Sequence, residues 1–229
     1  RFHPTLVSSE GLLTDTARQI QGLSVTLLPS LRRAIHPLAD ARALAQLVAF
    51  IRRGGYDLVH THSSKAGILG RWAAHRAGVP RIVHTVHGFS FHAFQRAWVR
   101  RFYEALERRA ARITDGLILV SERDRETALQ LGIGRPEQHR LIRYGIEAER
   151  FRVNGLPRAA RRRHLGLDPD RPVVGTVACL KPQKAPRDFV RACHLIRQRV
   201  PEAQFVLVGD GALRPAVERW RRRLGLEGS

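Results

Sequence analysis

From Pro4 onward, short apolar runs alternate with longer segments whose apolar residues recur at helical spacing. A run, a helix pattern and a further run form the β–α–β grammar that predicts parallel strands joined by crossover helices. The alternation is densest over residues 57–92, DLVHTHSSKAGILGRWAAHRAGVPRIVHTVHGFSFH. In sheets of this kind, ligands sit beyond the carboxyl ends of the strands. Chemistry is therefore sought first at His60-Thr61-His62 and at His84 to Gly88.

In chain order, the pattern predicts a strand over 4–8, a helix over 10–21 ending at Gly22, and a strand over 24–28. Pro37 opens a long helix that Gly54-Gly55 stops, and a strand follows over 56–62. Residues alternate across a strand, so His60 and His62 share one face. Ser63 and Ser64 are read as N-cap residues of a helix running to Gly78, with Lys65 in its first turn. A strand over 81–86 leads into His87, Gly88 and an aromatic cluster. A basic amphipathic helix is expected from Ala93 to Ile113, then a strand over 115–121, a helix capped by Ser121, and a short strand over 140–143. The pattern loosens between Gly145 and Pro172, through Asn154-Gly155 and the run Arg161-Arg162-Arg163-His164. That predicts a domain over 1–150, a linker over 151–170 and a second domain over 171–229. The second starts with a strand over 172–180, a loop over 181–186 and a helix over 187–199. A strand over 203–208, the turn Gly209-Asp210-Gly211 and a helix ending near Leu224 follow.

Hydrophobic residues make up 43% of the 229, enough for a packed core rather than general disorder. Forty Lys and Arg against 20 Asp and Glu give a formal charge of +20, which attracts phosphate groups or an anionic membrane surface. An Arg-rich compositional bias would give the same charge. No apolar run reaches the roughly 18 to 20 residues needed to span a bilayer, and no signal-peptide core opens the chain, so a cytosolic protein is expected. Cys179 and Cys193 form no metal or disulfide pattern and are read as small, reduced, buried residues. With no Met in the chain and a strand pattern within its first residues, a fragment cut inside a domain is expected.

Three clusters are candidates for chemistry. Ser63, Ser64 and Lys65 stand at a helix N-terminus, where an anion gains about 0.3 to 1 kcal/mol; an ordinary cap beside a solvated lysine fits the residues equally well. In the loop 181–186, Lys184 and backbone amides at the next helix start suit a diphosphate, and a purely structural loop is as compatible. His60 and His62 resemble a metal pair only weakly, because no acidic or cysteine partner recurs at ligand spacing. The helix from Ala93 to Ile113 interleaves aromatics with arginines, as a helix lying on anionic lipid does. Packing on the sheet with a solvated basic face is the alternative.

The stretches HTHSSKAGILGR, RIVHTVHG, DGLILVSERDRE, RYGIEAERF, VGTVACLKPQKAPRDFV and FVLVGDGALR occur in the order found in family 4 glycosyltransferases. The chain resembles that family over nearly its whole length. The resemblance implies an α/β fold of GT-B type: two Rossmann-like domains with parallel sheets, each incomplete in this chain. It implies a retaining transfer of a sugar from a nucleotide-sugar donor to a glycan or lipid-linked acceptor, with no metal and no other cofactor. His87 corresponds to the family's cleft histidine near the reacting centre, and Gly88 follows it on the donor side. Lys184 corresponds to the lysine on the donor diphosphate, and Gly209, Asp210 and Gly211 to a turn near the nucleotide. Ser63, Ser64 and Lys65 would border the acceptor. A peripheral position at the inner face of the plasma membrane follows from such an acceptor.

The chain also departs from the family. Cys179 stands where many relatives have Arg, Ala185 where they have Gly, and Tyr144 where Asn is common; Lys181 is the candidate replacement cation. The family's first strand with its glycine-rich loop, and its later pair of glutamates seven residues apart, are not in this sequence, so inactivity of the fragment alone is expected. A GT-B sugar-nucleotide epimerase is the rival enzyme reading. A basic nucleic-acid-binding protein is the non-enzyme rival, although no stacking motif or nucleic-acid module supports it.

Overall fold

The computed structural model of the chain describes residues 2–11, 13–32, 34–92, 95–151 and 157–228. It divides into two compact units, Arg1–Ile146 and Glu147–Ser229. The first contains β1 (Thr5–Ser8), α1 (Thr14–Arg18), β2 (Ser24–Leu27), α2 (Pro37–Gly54), β3 (Leu58–His62) and α3 (Ser64–Ala77). It continues with β4 (Arg81–Val86), α4 (Ala97–Ala111), β5 (Gly116–Leu119), α5 (Glu122–Gln130) and β6 (His139–Leu141). Every strand pairing is parallel, as the crossover pattern requires.

The strands form two sheets, β1-β2 and β3-β4-β5-β6. A core of Leu47, Ile51, Ala73, Ala74 and Ile82, with Val7, Leu28 and Val59 packed against it, joins the two-stranded ribbon to the larger sheet. Val86, Phe91, Leu117, Leu119, Ala128 and Ile133 form the core around the last three strands. Between the sheets lies a cavity of about 880 Å³, lined by β1 on one side and β3 on the other.

Two helices position the candidate site. His36 caps α2 through its ring nitrogen, which accepts from the Ala39 amide at 3.3 Å, and Pro37 occupies the first turn. Helix α3 lies close on the sheet because it turns glycines toward it. A Cβ at Gly67 would meet His84 Cε1 at 2.5 Å, and one at Gly70 would meet Thr61 Cγ2 at 2.8 Å. Side chains there would push the helix off its strands.

Several expectations are corrected. Helix α1 spans Thr14–Arg18 rather than 10–21, because it buries no residue and so little tertiary packing holds further turns. Trp98 and Phe102, read as apolar face residues, are 67% and 52% exposed. The buried face of α4 consists of Glu104, Glu107, Ala110 and Ala111. The expected start of that helix at Ala93, and Asn154-Gly155 in the linker, lie outside the described residues.

The second unit contains α6 (Ala148–Phe151), α7 (Arg158–His164), β7 (Val173–Val177), α8 (Pro186–Arg199), β8 (Gln204–Val208) and α9 (Arg214–Arg223), with β7 and β8 parallel. The arginine run at 161–163 is helical rather than loose. Arg is a good helix former, and Pro157 immediately precedes the first turn. Arg162 donates to the carbonyls of Pro169 and Arg171, fastening α7 to the entry of β7. The core gathers Leu180, Val190, Cys193, Val217 and Leu226. Burial pushes the Cys193 thiol up to about 11, whereas Cys179 is exposed, against the expectation of two buried cysteines.

Candidate active site

The carboxyl ends of β3 and β4 meet in register, Thr61 beside His84 and His62 beside Thr85. Alternation then sorts their side chains onto two faces. On the helix side, buried Thr61 and His84 lie under Gly67 and Gly70 of α3. His84 Nδ1 meets the Thr61 hydroxyl at 2.9 Å and its carbonyl at 3.1 Å. His84 is 2% exposed. Burial, and secondarily the charge of Arg71, depresses it to about 3, with the Thr61 carbonyl opposing more weakly. It is a neutral structural ring.

On the other face stand His60 and His62, their ring centroids 4.2 Å apart. His60 Nε2 lies 2.7 Å from the Thr85 hydroxyl. His62 Nδ1 lies 2.9 Å from His87 Nε2, and the two rings stack. The other nitrogen of His87, Nδ1, bonds the Tyr144 hydroxyl, and the phenol ring lies parallel to the imidazole at 5.7 Å. Burial lowers the affinity of His60 and of His62 for a proton, and the neighbouring imidazoles lower it further. His60 Nε2, His62 Nδ1 and both nitrogens of His87 meet one another or hydroxyls, and no cluster of three metal-ligating side chains occurs among the described residues.

His87, Gly88, Ser63 and Ser64 share a small cavity of about 10 Å³ with Thr85 and Glu107, roughly the volume of one water. The structure thus brings together four of the residues singled out in the sequence. Ser63 holds the N-cap position of α3, but its hydroxyl makes no capping bond, unlike the cap expected there. Its φ of +60° lies in a region a non-glycine residue rarely enters. Lys65 is not a solvated cation: its ammonium pairs with the Asp40 carboxylate and donates to the Ala34 carbonyl.

Beneath the site, Arg71 of α3 and Glu107 of α4 form an ion pair with side chains 0% and 7% exposed. Arg71 Nε also donates to the Gly67 carbonyl at 3.0 Å, so the guanidinium braces the glycine turn over His84. Sequence reasoning passed over Arg71, Glu107 and the pairing of Tyr144 with His87. Only the burial of an Arg on an otherwise apolar helix face would have signalled the first two.

In the second unit, Lys184 sits in a short 3-10 turn before α8. Ala185 then takes a left-handed conformation, φ +46° and ψ +49°, to enter the helix. Gly209-Asp210-Gly211 presses against the loop after β7. Leu180 N–H donates to the Asp210 carbonyl at 2.8 Å. A Cβ at Gly209 would come within 2.0 Å of the Ala178 oxygen. Those glycines are required by backbone contact. Asp210 caps its own turn by accepting from Gly211 N–H at 2.7 Å, and faces Arg214 at 3.4 Å.

Comparison with known proteins places this geometry. Among curated proteins, the chain is 39% identical over 216 residues to an Escherichia coli protein named UDP-Gal:alpha-D-GlcNAc-diphosphoundecaprenol alpha-1,3-galactosyltransferase, covering 93% of this chain and 55% of that one. It is 29% identical over 182 residues to the D-inositol 3-phosphate glycosyltransferase of Thermobispora bispora, covering 74% of this chain and 42% of the relative. The chain thus spans about half the length of the curated relatives it matches. Among solved structures, Anabaena HepE in complex with UDP and glucose superposes with a TM-score of 0.77 at 21% identity, over 96% of this chain and 58% of that one. This likeness shows the GT-B fold. The family described as the Glycosyl transferase 4-like domain matches residues 2–145, the whole of the site in the first unit. The chain belongs to that glycosyltransferase family.

Proposed function

We propose that the full-length protein is a retaining glycosyltransferase that moves a sugar from a nucleotide-sugar donor to a glycan or lipid-linked acceptor, without a metal. The observation that carries this reading is the His87–Gly88 loop at the carboxyl end of β4, held beside the uncapped start of α3 in the region matched by the family. The named activity of the E. coli relative supports transfer to a diphospholipid-linked sugar.

Breaking a sugar–diphosphate bond leaves negative charge on the departing group. Fixed cations and helix-end amides stabilise that charge more in the transition state than in the ground state. Lys184 and the amides at the start of α8 are assigned that part, and Gly209, Asp210 and Gly211 border the nucleotide. His87 and Gly88 face the donor sugar. Ser63 and Ser64 border the acceptor, where Lys65 acts through Asp40 to hold the loop rather than as a free cation.

The large cavity in the first unit is not assigned to substrate. Its two long walls are strand edges, and among the described residues no strand pairs with them on that side. A lipid chain would leave those groups unbonded, whereas a further parallel strand would satisfy them. The glycine-rich first strand implied by the family resemblance fits there.

Among the described residues no helix is long and apolar enough to cross a membrane. A diphospholipid-linked acceptor, as in the name of the E. coli relative, is what supports a cytoplasmic position peripheral to the inner face of the plasma membrane, reached through α4. That helix exposes Trp98 and Phe102 beside Arg101.

The full-length protein, incubated with UDP-hexose and a polyprenyl-diphosphate-linked sugar in the presence of EDTA, is expected to give a lengthened glycolipid with retained anomeric configuration. His87→Ala should lower kcat/KM by roughly a hundredfold or more. Wild-type turnover in that variant sinks the role of His87, and an isomerised donor formed without acceptor replaces transfer by epimerisation.

A further inference from the structure

Both ring nitrogens of His87 are occupied by the protein itself. Nε2 meets His62 Nδ1 at 2.9 Å, and Nδ1 meets the Tyr144 hydroxyl. The three residues come from three places in the fold: His62 ends β3, His87 follows β4, and Tyr144 follows β6. The partners lie 25 and 57 residues from His87 in sequence. The three rings lie in one roughly parallel row, with centroid separations of 5.1 and 5.7 Å and interplanar angles of 25° and 4°. His60 lies against the far side of His62, and its own Nε2 is taken up by Thr85.

A neutral imidazole has one donor nitrogen and one acceptor nitrogen, and each bond made by one fixes what the other must be. A phenol is the better donor of the pair it forms with an imidazole nitrogen. With Tyr144 O–H donating to His87 Nδ1, the proton of His87 is on Nε2 and points at His62 Nδ1. His62 then carries its proton on Nε2. In that arrangement the Tyr144 phenol proton and the His87 Nε2 proton each find an acceptor, and the Tyr144 ring lies parallel to the imidazole.

We propose that Tyr144 and His62 are positioning residues that hold His87 in a single tautomer, protonated on Nε2, and in a single ring orientation. The proposal rests on the assignment of His87 to the reacting side of the site. Tyr144 stands where Asn is common in the family. An Asn can also bond an imidazole, but it supplies no aromatic ring to lie against it. The clamp makes the acceptor lone pair at His87 Nδ1 the one that opens to a substrate hydroxyl when the Tyr144 side chain swings away. Tyr144 is 64% exposed, so its contact with His87, and not burial in a core, is what holds it in place.

The test uses the full-length protein labelled with ¹⁵N-histidine and long-range ¹H–¹⁵N spectra at about pH 8, where imidazoles are neutral by their ordinary range. Wild-type His87 is expected to show a pyrrole-like Nε2 and a pyridine-like Nδ1, with Tyr144→Phe and His62→Leu each giving the averaged shifts of a tautomer mixture. His62→Gln, whose amide oxygen accepts from Nε2–H, should restore the single tautomer. In the transfer assay, Tyr144→Phe should lower kcat about tenfold with the donor KM unchanged, since a wrong tautomer costs turnover rather than binding. A wild-type mixture, or a single tautomer that persists in Tyr144→Phe, overturns the clamp. A clamp seen by NMR in a protein with no transferase activity overturns the functional reading instead and leaves the clamp standing.

Discussion

The guanidinium of Arg71 meets the carboxylate of Glu107 at 2.7 Å in the interior between α3 and α4, with the arginine side chain wholly shielded from solvent. A buried pair of this kind adds little net stability, yet removing one partner strands a charge in a low dielectric. Arg71→Met is therefore expected to destabilise the first unit by about 3 to 5 kcal/mol. The double variant Arg71→Met/Glu107→Leu should recover most of that loss. Urea denaturation of the two variants checks the prediction, and equal losses in both would contradict it.

His84 gives stability a pH dependence. Its folded pKa, about 3, lies below the ordinary 6.5, so between those values the unfolded chain binds a proton that the folded chain refuses. Stability is complete above about pH 6.5 and falls as pH drops toward 3, by roughly 2 kcal/mol from pH 7.5 to pH 5. The lowered proton affinities of His60 and His62 act in the same direction. Denaturation at a series of pH values should show this slope in the wild type and a shallower one in His84→Gln.

Ala185 enters α8 through a left-handed backbone conformation that costs an L-residue roughly 1 to 2 kcal/mol. Ala185→Gly removes that strain and returns part of it as entropy of the unfolded chain. A net gain of about 0.5 to 1 kcal/mol is expected. Thermal unfolding of the variant reads the gain directly, and a lowered Tm would contradict it.

Exposed Trp98 and Phe102 lie one helical turn apart on α4, with Arg101 exposed between them. The double variant Trp98→Ala/Phe102→Ala should bind vesicles containing anionic lipid at least several-fold more weakly than the wild type, with fold and Tm unchanged because neither ring is in the core. Arg101→Glu should weaken binding chiefly at low salt. Co-sedimentation with anionic and neutral vesicles separates the two contributions.

The elements were legible because their signals are local. Strand β4 falls at 81–86 and α2 at Pro37–Gly54, as the apolar runs and the Pro and Gly stops predict. The order of motifs was enough to name the family and its fold. Boundaries failed where tertiary packing outweighs pattern: α1 shrank for want of buried contacts, and the arginine run of α7 folded although it looked like linker.

Within the site, the sequence alone placed His87, Gly88, Ser63 and Ser64 at strand and helix ends, since those positions follow from where each element stops. It left open which side chains would be paired. Lys65 reaches Asp40, Arg71 reaches Glu107, and His87 is held by His62 and Tyr144 across separations of 25 to 57 residues. Such partners are set by strand register and by how closely Gly67 and Gly70 let α3 approach the sheet. Spacing along the chain determines the face a residue occupies, but only packing between elements determines what it meets there.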